Sequence, residues 1–306
     1  PEGNAVRITN DIQGFGNMSV SVTADGSTIA TVPWDIVSNL WATNADATAP
    51  LEQWTSGRRI DGNSGIAPRT DGGLYFASED GTDVGIWSID AAGARPRKLT
   101  REYAEVPSSP VVGRFVVYQA IHEGRFRIWR MQPDGSDPRV LTKGEDDIIP
   151  LVSPDGRWVY YMLGGAKRRL MRVAADGGES VVLSDLLVTP TDLSADGRDL
   201  LVMSEDKSIP TRFAILDAET GAIKRRVDVT GERVNFGRRP DLVAYIVERK
   251  GVDNLWEQPI NGGPARQLTQ FTSGRIFNFA YSVDRKRLIL ARGQRTGDVV
   301  LLRNFR

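Results

Sequence analysis

The stretch "IWRMQPDGSDPRVLT" (Ile128–Thr142) is written nearly again as "IWSIDAAGARPRKLT" (Ile86–Thr100) and "LWEQPINGGPARQLT" (Leu255–Thr269). A catalytic motif normally occurs once, whereas a phrase returning at intervals is a building unit. The unit has the grammar of strands and turns. "RIWRM" mixes β-branched, aromatic and long residues that suit a pleated, buried strand. "PDG" follows, a tight-turn signal because Gly accepts positive φ without steric cost. "RVLT" makes a short outer strand, "IIPLVS" a further strand, a second "PDG" turns the chain, and "RWVYYM" closes the unit. No segment carries a helical period of useful length.

Aligning the third strand of each unit picks out Trp41, Trp87, Trp129, Met171, Ile215, Trp256 and Val300, separated by 46, 42, 42, 44, 41 and 44 residues. The turn recurs in step as "TADG" (Thr23), "RTDG" (Arg69), "SPDG" (Ser153), "SADG" (Ser194) and a worn "SVDR" (Ser282), while Val111 and Gly237 keep the register without the motif. Four strands in a unit of this length, repeated, predict a β-propeller. The count predicts seven blades in one domain spanning residues 1–306. "VRIT" (Val6) matches only an outer strand and "DVVLLR" (Asp298) only a third strand, so N- and C-terminal strands are expected to share one blade and close the ring. Closure removes the exposed edges of an open sheet.

Bulk composition narrows the function. The 306 residues carry 39 basic and 39 acidic side chains, which argues against nucleic acid or an acidic membrane surface as partner. With 40% hydrophobic residues a core can be buried. There is no cysteine, so disulfides, thiolate metal sites and a cysteine nucleophile are excluded. No apolar run approaches the ~20 residues that span a bilayer, so no direct membrane insertion is expected of this chain. The chain opens "PEGNAVRITN", without an initiator Met or a signal-peptide pattern, as an excised or processed fragment would.

The phrases "NLWEQPINGGPARQLTQFTSGRIFNFAYSVDRKRLILARG" and "IWRMQPDGSDPRVLT…PLVSPDGRWVYYM" resemble the TolB-type, WD-like propeller repeats of bacteria, over essentially the whole chain. More narrowly, "VSVTADGSTIATV…VSNLW" and "SGRIFNFAYSVD…TGDVVLL" are similar to the C-terminal propeller of certain bacterial membrane-anchored Ser/Thr protein kinases. That resemblance implies a periplasmic or extracytoplasmic sensor module. TolB itself has an additional N-terminal domain and fewer blades. No kinase motif is present: the one histidine, His122, is followed by "EG" and not by the start of an "HRD" loop.

The recurring Trp41, Trp87, Trp129 and Trp256 are expected to pack between neighbouring sheets, and the Asp-Gly pairs at Asp25, Asp71, Asp134, Asp155 and Asp196 to form turns whose carboxylates accept local backbone bonds. The acidic runs "GEDDIIP" and "SEDGTD" do not fit a calcium-loop spacing, and no metal or other cofactor is expected. No "GxSxG" elbow occurs, and a serine triad would have to use His122, so no catalytic residue is assigned. Converging carboxylates for glycoside chemistry, or service as the propeller of a peptidase, remain as enzymatic alternatives, beside a TolB-like envelope scaffold. Short "DG" turns are expected at one end of the blades and longer loops at the other. Those loops carry Trp34, Tyr103, His122, Arg125, Asp147 and Arg275, the expected binding surface for a protein or small-molecule partner.

Overall fold

The computed structural model describes residues 20–32, 34–90, 92, 94–165, 168–209, 211–297 and 299–303. The expected outer strand at Val6 lies outside them. Among the described residues the regular structure is strand throughout, and no helix is long and apolar enough to cross a membrane.

Strands β1 (Val20–Val22) and β2 (Thr28–Thr31) precede the long β3 (Trp34–Asn44) and the short β4 (Glu52–Gln53). Five four-stranded antiparallel blades follow. Blade 1 is β5 (Ile60–Pro68), β6 (Leu74–Asp80), β7 (Asp83–Ile89) and β8 (Arg97–Lys98). Blade 2 is β9 (Ala104–Ser108), β10 (Val116–His122), β11 (Arg125–Met131) and β12 (Arg139–Val140). Blade 3 is β13 (Asp147–Val152), β14 (Trp158–Leu163), β15 (Arg169–Ala174) and β16 (Val181–Ser184). Blade 4 is β17 (Val188–Leu193), β18 (Asp199–Ser204), β19 (Phe213–Asp217) and β20 (Ile223–Val227). Blade 5 is β21 (Glu232–Phe236), β22 (Leu242–Arg249), β23 (Val252–Pro259) and β24 (Arg266–Gln267). Last come β25 (Arg275–Tyr281), β26 (Arg287–Gly297) and β27 (Val300–Arg303).

The strands from the two chain ends combine. β25 and β26 pair with β3, and β3 with β4, making blade 6 from both ends of the sequence. A single parallel bridge between Ser38 and Ile60 joins this blade to blade 1.

The second strand of each blade explains the architecture. Such strands are continuous apolar runs, as in "VVYQA" and "LVAYIV", because side chains alternate and both faces are buried. In β10, Val116, Tyr118 and Ala120 pack towards blade 1, while Val117 packs towards blade 3. In β18, Leu200 and Val202 face blade 3 and Leu201 faces blade 5. The core therefore falls into six clusters, each shared by two neighbouring blades, and the sixth joins blade 6 back to blade 1.

The count thus differs from the seven blades that the sequence predicts. Six four-stranded blades pack around the ring among the described residues, and β1, β2 and β27 make a separate three-stranded sheet. A repeat count assigns each third strand to the pair of strands preceding it. The structure exchanges two of them: β26 takes β3, the Trp41 strand, and β2 takes β27, the Val300 strand. The exchange has a physical reason. β3 brings fully buried Leu40 and Ala42 to the ring together with the outer strand β4, whereas Leu301 of β27 is half exposed. The β2–β27 pairing continues the register of β3–β26, since Thr31 faces Val300 where Trp34 faces Gly297.

Two polar clamps account for the repeated phrase. At its "LT" end, the threonine hydroxyl accepts the third strand's N–H just before the recurring tryptophan: Thr55 from Leu40 (2.9 Å), Thr100 from Ile86 (2.9 Å), Thr142 from Ile128 (3.0 Å) and Thr269 from Leu255 (2.8 Å). At the "SPDG" turns, Ser153 donates to Asp155 (2.6 Å) and accepts from the Trp158 N–H (2.9 Å), and Ser194 does the same with Asp196 and Asp199. These local donors hold the turn carboxylates below the usual range, down to about 2 at Asp25, where the Thr23 hydroxyl is the main cause. The worn turn at Ser282 keeps the clamp without its glycine, Arg285 adopting φ of 58°. Replacing Thr142 by Val preserves shape but leaves the buried Ile128 N–H without its acceptor. It should cost about 1–3 kcal/mol in chemical denaturation, with an unchanged m-value.

Candidate functional site

The six innermost strands, β5, β9, β13, β17, β21 and β25, line one central cavity of about 520 Å³. Every one of them carries a register shift against its neighbour, so the chain bulges where it faces the channel. At three of the bulges a non-glycine residue sits in the left-handed region: Val106 (φ 53°), Ile149 (φ 57°) and Arg233 (φ 48°). Gly65 makes room for the first of them, since a Cβ there would meet the Val106 Cα at 3.0 Å and the Pro107 Cδ at 2.6 Å.

Side chains tie one inner strand to the next. Ser108 accepts from the Val152 N–H (3.0 Å), Asp192 from the Phe236 N–H (2.9 Å), Asn235 donates to the Phe279 carbonyl (3.0 Å) and Asn278 to that of Asn63 (3.4 Å). Burial raises the Asp192 pKa, opposed by Arg285 and by its two backbone donors.

The two ends of the channel differ. One carries the short clamped turns between first and second strands, and Pro154, Ser194 and Ser282 of those turns line the cavity there. At the other lie the starts of the inner strands and the turns between second and third strands, and all six sequence-predicted site residues are at this end. They form two groups. Around blade 2, Tyr103 meets the Phe126 ring edge-on at 6.0 Å, His122 meets Trp129 edge-on at 5.5 Å, and Arg125 donates to the Glu145 carbonyl (3.3 Å). Burial, then Glu105, pushes the Tyr103 phenol up to about 12. The expected loop "QAIHEGR" is strand β10 running into a two-residue turn, with His122 paired to Arg125. At blade 6, Arg275 pairs with buried Asp253 (2.8 Å), and Trp34 lies under the Arg295 guanidinium at 4.6 Å.

Asp147 differs from the expectation. It is fully buried at the start of β13, accepts the Gly144 N–H (2.8 Å) and offers no surface to a partner. Its place matches that of Asp61, also buried at an inner-strand start beside the threonine of the preceding outer strand. The recurring tryptophans Trp41, Trp87, Trp129 and Trp256 pack against the interblade clusters, as expected.

A groove of about 400 Å³ lies beside the channel mouth, lined among others by Glu232, Arg233, Glu248, Asp253, Arg275 and Arg295, and it shares Asn63 and Arg233 with the central cavity. Sequence reading passed over Arg233, Asn63, Asp192 and Asn278. Arg233 was legible only by aligning "EVP", "IIP" and "ERV", which puts an arginine where the other bulges carry Val106 and Ile149. Among the described residues no group of three or more His, Cys, Asp or Glu side chains comes together as a metal site.

An uncharacterised protein of Agrobacterium fabrum is 27% identical over 206 residues, covering 60% of this chain and 68% of its own length. No protein-family model matches the chain. Among solved structures, one described as a TolB of Agrobacterium tumefaciens superposes with a TM-score of 0.66 at 16% identity, over 84% of this chain and 98% of that one. TolB of Acinetobacter baumannii gives 0.56 at 18%, over 88% and 66%. An oligogalacturonate lyase in complex with manganese gives 0.51 at 13%, over 81% and 76%. The fold is therefore that of a TolB-like β-propeller.

Burial, the largest influence, raises the Asp147 pKa above the ordinary carboxylate value, while Thr142 and the Gly144 N–H act the other way. A carboxyl whose folded pKa exceeds its unfolded one stabilises the fold below the unfolded value of about 4 and loses that contribution as pH rises through the folded value. Asp147→Asn keeps an acceptor for Gly144 and has no charge to bury. Its stability relative to wild type should therefore improve from about pH 4 to about pH 7, measured by urea unfolding at both.

Proposed function

We propose that this chain is a non-catalytic binding module that receives a protein or small-molecule partner at the end of its central channel where the inner strands start. The observation that carries this reading is the asymmetry of the ring. One end carries short clamped turns, while the other adds to the cavity an adjoining groove edged with aromatic and arginine side chains. Tyr103, His122 and Arg125 on one side and Trp34 and Arg275 on the other form the contact surface, and buried Asp147 is no part of it. Rigid scaffolds that carry varied loops at one face are suited to recognition without chemistry.

Within this reading the module is the extracytoplasmic sensor part of a larger signalling protein, supported by the resemblance of its first and last repeats to kinase-linked propellers. Its likeness in fold to two TolB structures supports the second reading, a scaffold in a cell-envelope complex. The lyase shares the fold as well, and a lyase or hydrolase reading would need a catalytic constellation at the same mouth.

The test is retention of an envelope protein by the immobilised chain. Trp34→Ala, or combined Tyr103→Ala and Arg125→Ala, should reduce retention at least tenfold with an unchanged melting temperature. Arg157→Ala with Arg198→Ala, at the clamped end, should leave it intact. Equal retention by all variants would refute the assignment.

A further inference from the structure

Arg233 stands apart from every other charged group at the channel mouth. In the groove it shares, Arg275 is paired with Asp253, Arg295 lies over Trp34, Glu248 accepts the Gly251 N–H (2.7 Å), and Glu232 is turned towards Arg212 at 4.0 Å. Of these groups Arg233 alone has no ion pair, no side-chain hydrogen bond and no aromatic ring beneath it among the described residues. It is open to the cavity yet ringed by protein. Loss of bulk water around it lowers its pKa, opposed only by neighbouring Glu232. A guanidinium held in such a space is short of the anion it would most favourably bind.

The backbone sharpens the point. The first residue of the bulge is aliphatic at Val106 and Ile149, and the same left-handed conformation is imposed on Arg233. That conformation is strained for a non-glycine residue. The position tolerates an apolar side chain in two other blades, so folding alone does not call for an arginine. On the far side of the ring, three blades away, Glu105 lines the same cavity and is satisfied by Gln119 (2.8 Å). Among the described residues lining the cavity and groove, the one unpartnered cation is thus on the blade 5 wall.

We infer that Arg233 is the seat of an oxyanion, a carboxylate or phosphate group on the ligand that enters the channel mouth. The planar guanidinium offers paired donors to either group. This deepens the binding-module reading and rests on it. Arg233 is a specificity-determining contact, and the ligand's anionic end lies between the central cavity and the groove.

The test is calorimetric titration of the purified chain with sodium phosphate and, separately, sodium succinate, at constant ionic strength. One of the two should bind saturably at one site per chain, and which one binds identifies the group. Arg233→Gly suits the left-handed backbone and so should keep its melting temperature while weakening that binding at least tenfold. Arg233→Lys keeps the charge but loses the paired donors, and should weaken it less. Absence of saturable binding by both anions, or undiminished binding to Arg233→Gly, would overturn the inference. If envelope-protein retention still depends on the strand-start end in that case, the anion seat falls and the binding-module reading stands.

Discussion

Everything in this molecule depends on burying the second face of every blade. A four-stranded blade has two apolar faces, and each of the six clusters covers one face from each of two neighbours. Five of the interfaces arise between blades consecutive in sequence. The sixth, between blades 6 and 1, needs β3 of the N-terminal part laid along β26 of the C-terminal part. Leu40, Ala42, Ile289 and Ala291 then meet Leu74, Phe76 and Ile89. Burying a large apolar side chain contributes about 1.5–3 kcal/mol. This one cluster is therefore comparable to the ~5–15 kcal/mol by which a typical domain is stable. Opening it exposes two blade faces at once.

Much of this was legible in the sequence and some was not, for definable reasons. Blade strands, turns and the interblade place of the tryptophans follow from local chemistry: β-branched and aromatic runs, Asp-Gly pairs and a fixed period. The Ser-Asp clamps and the threonine caps are local too, which is why the repeated phrase kept both. What local chemistry does not encode is which third strand joins which pair. Trp41 and Val300 occupy the same place in the repeat, and only the buried Leu40 and Ala42 distinguish their strands. The site residues divide along the same line. Tyr103, His122 and Arg125 are near one another because a turn and an adjacent connection bring them there. Asp147 resembles a surface acid in the run "GEDD", but its side chain belongs to a buried structural contact that only the ring creates.

Ring geometry also connects stability to recognition. The bulges that let six inner strands converge force left-handed backbone at Val106, Ile149 and Arg233, and these same residues line the channel. Ser108, Asp192, Asn235 and Asn278 then lock neighbouring inner strands together, so the mouth is held by the blades and not by flexible loops. Under the proposed reading, a partner at that end would meet aromatic rings against blade 2 and arginines against blades 5 and 6. Such a preformed, polarised opening needs little reorganisation to bind.

The pairing of the chain ends is the point on which the account turns, and the cysteine-free sequence makes it directly measurable. Val37 and Gln294 stand opposite each other in the β3–β26 ladder. Cysteines at directly paired strand positions lie within disulfide reach. In the double variant Val37→Cys, Gln294→Cys, mild oxidation of the folded protein should give one intramolecular disulfide, seen by mass spectrometry and peptide mapping, with no loss of melting temperature. Free thiols that persist in the folded state, or a disulfide formed only between chains, would contradict the six-bladed closure and the site built upon it.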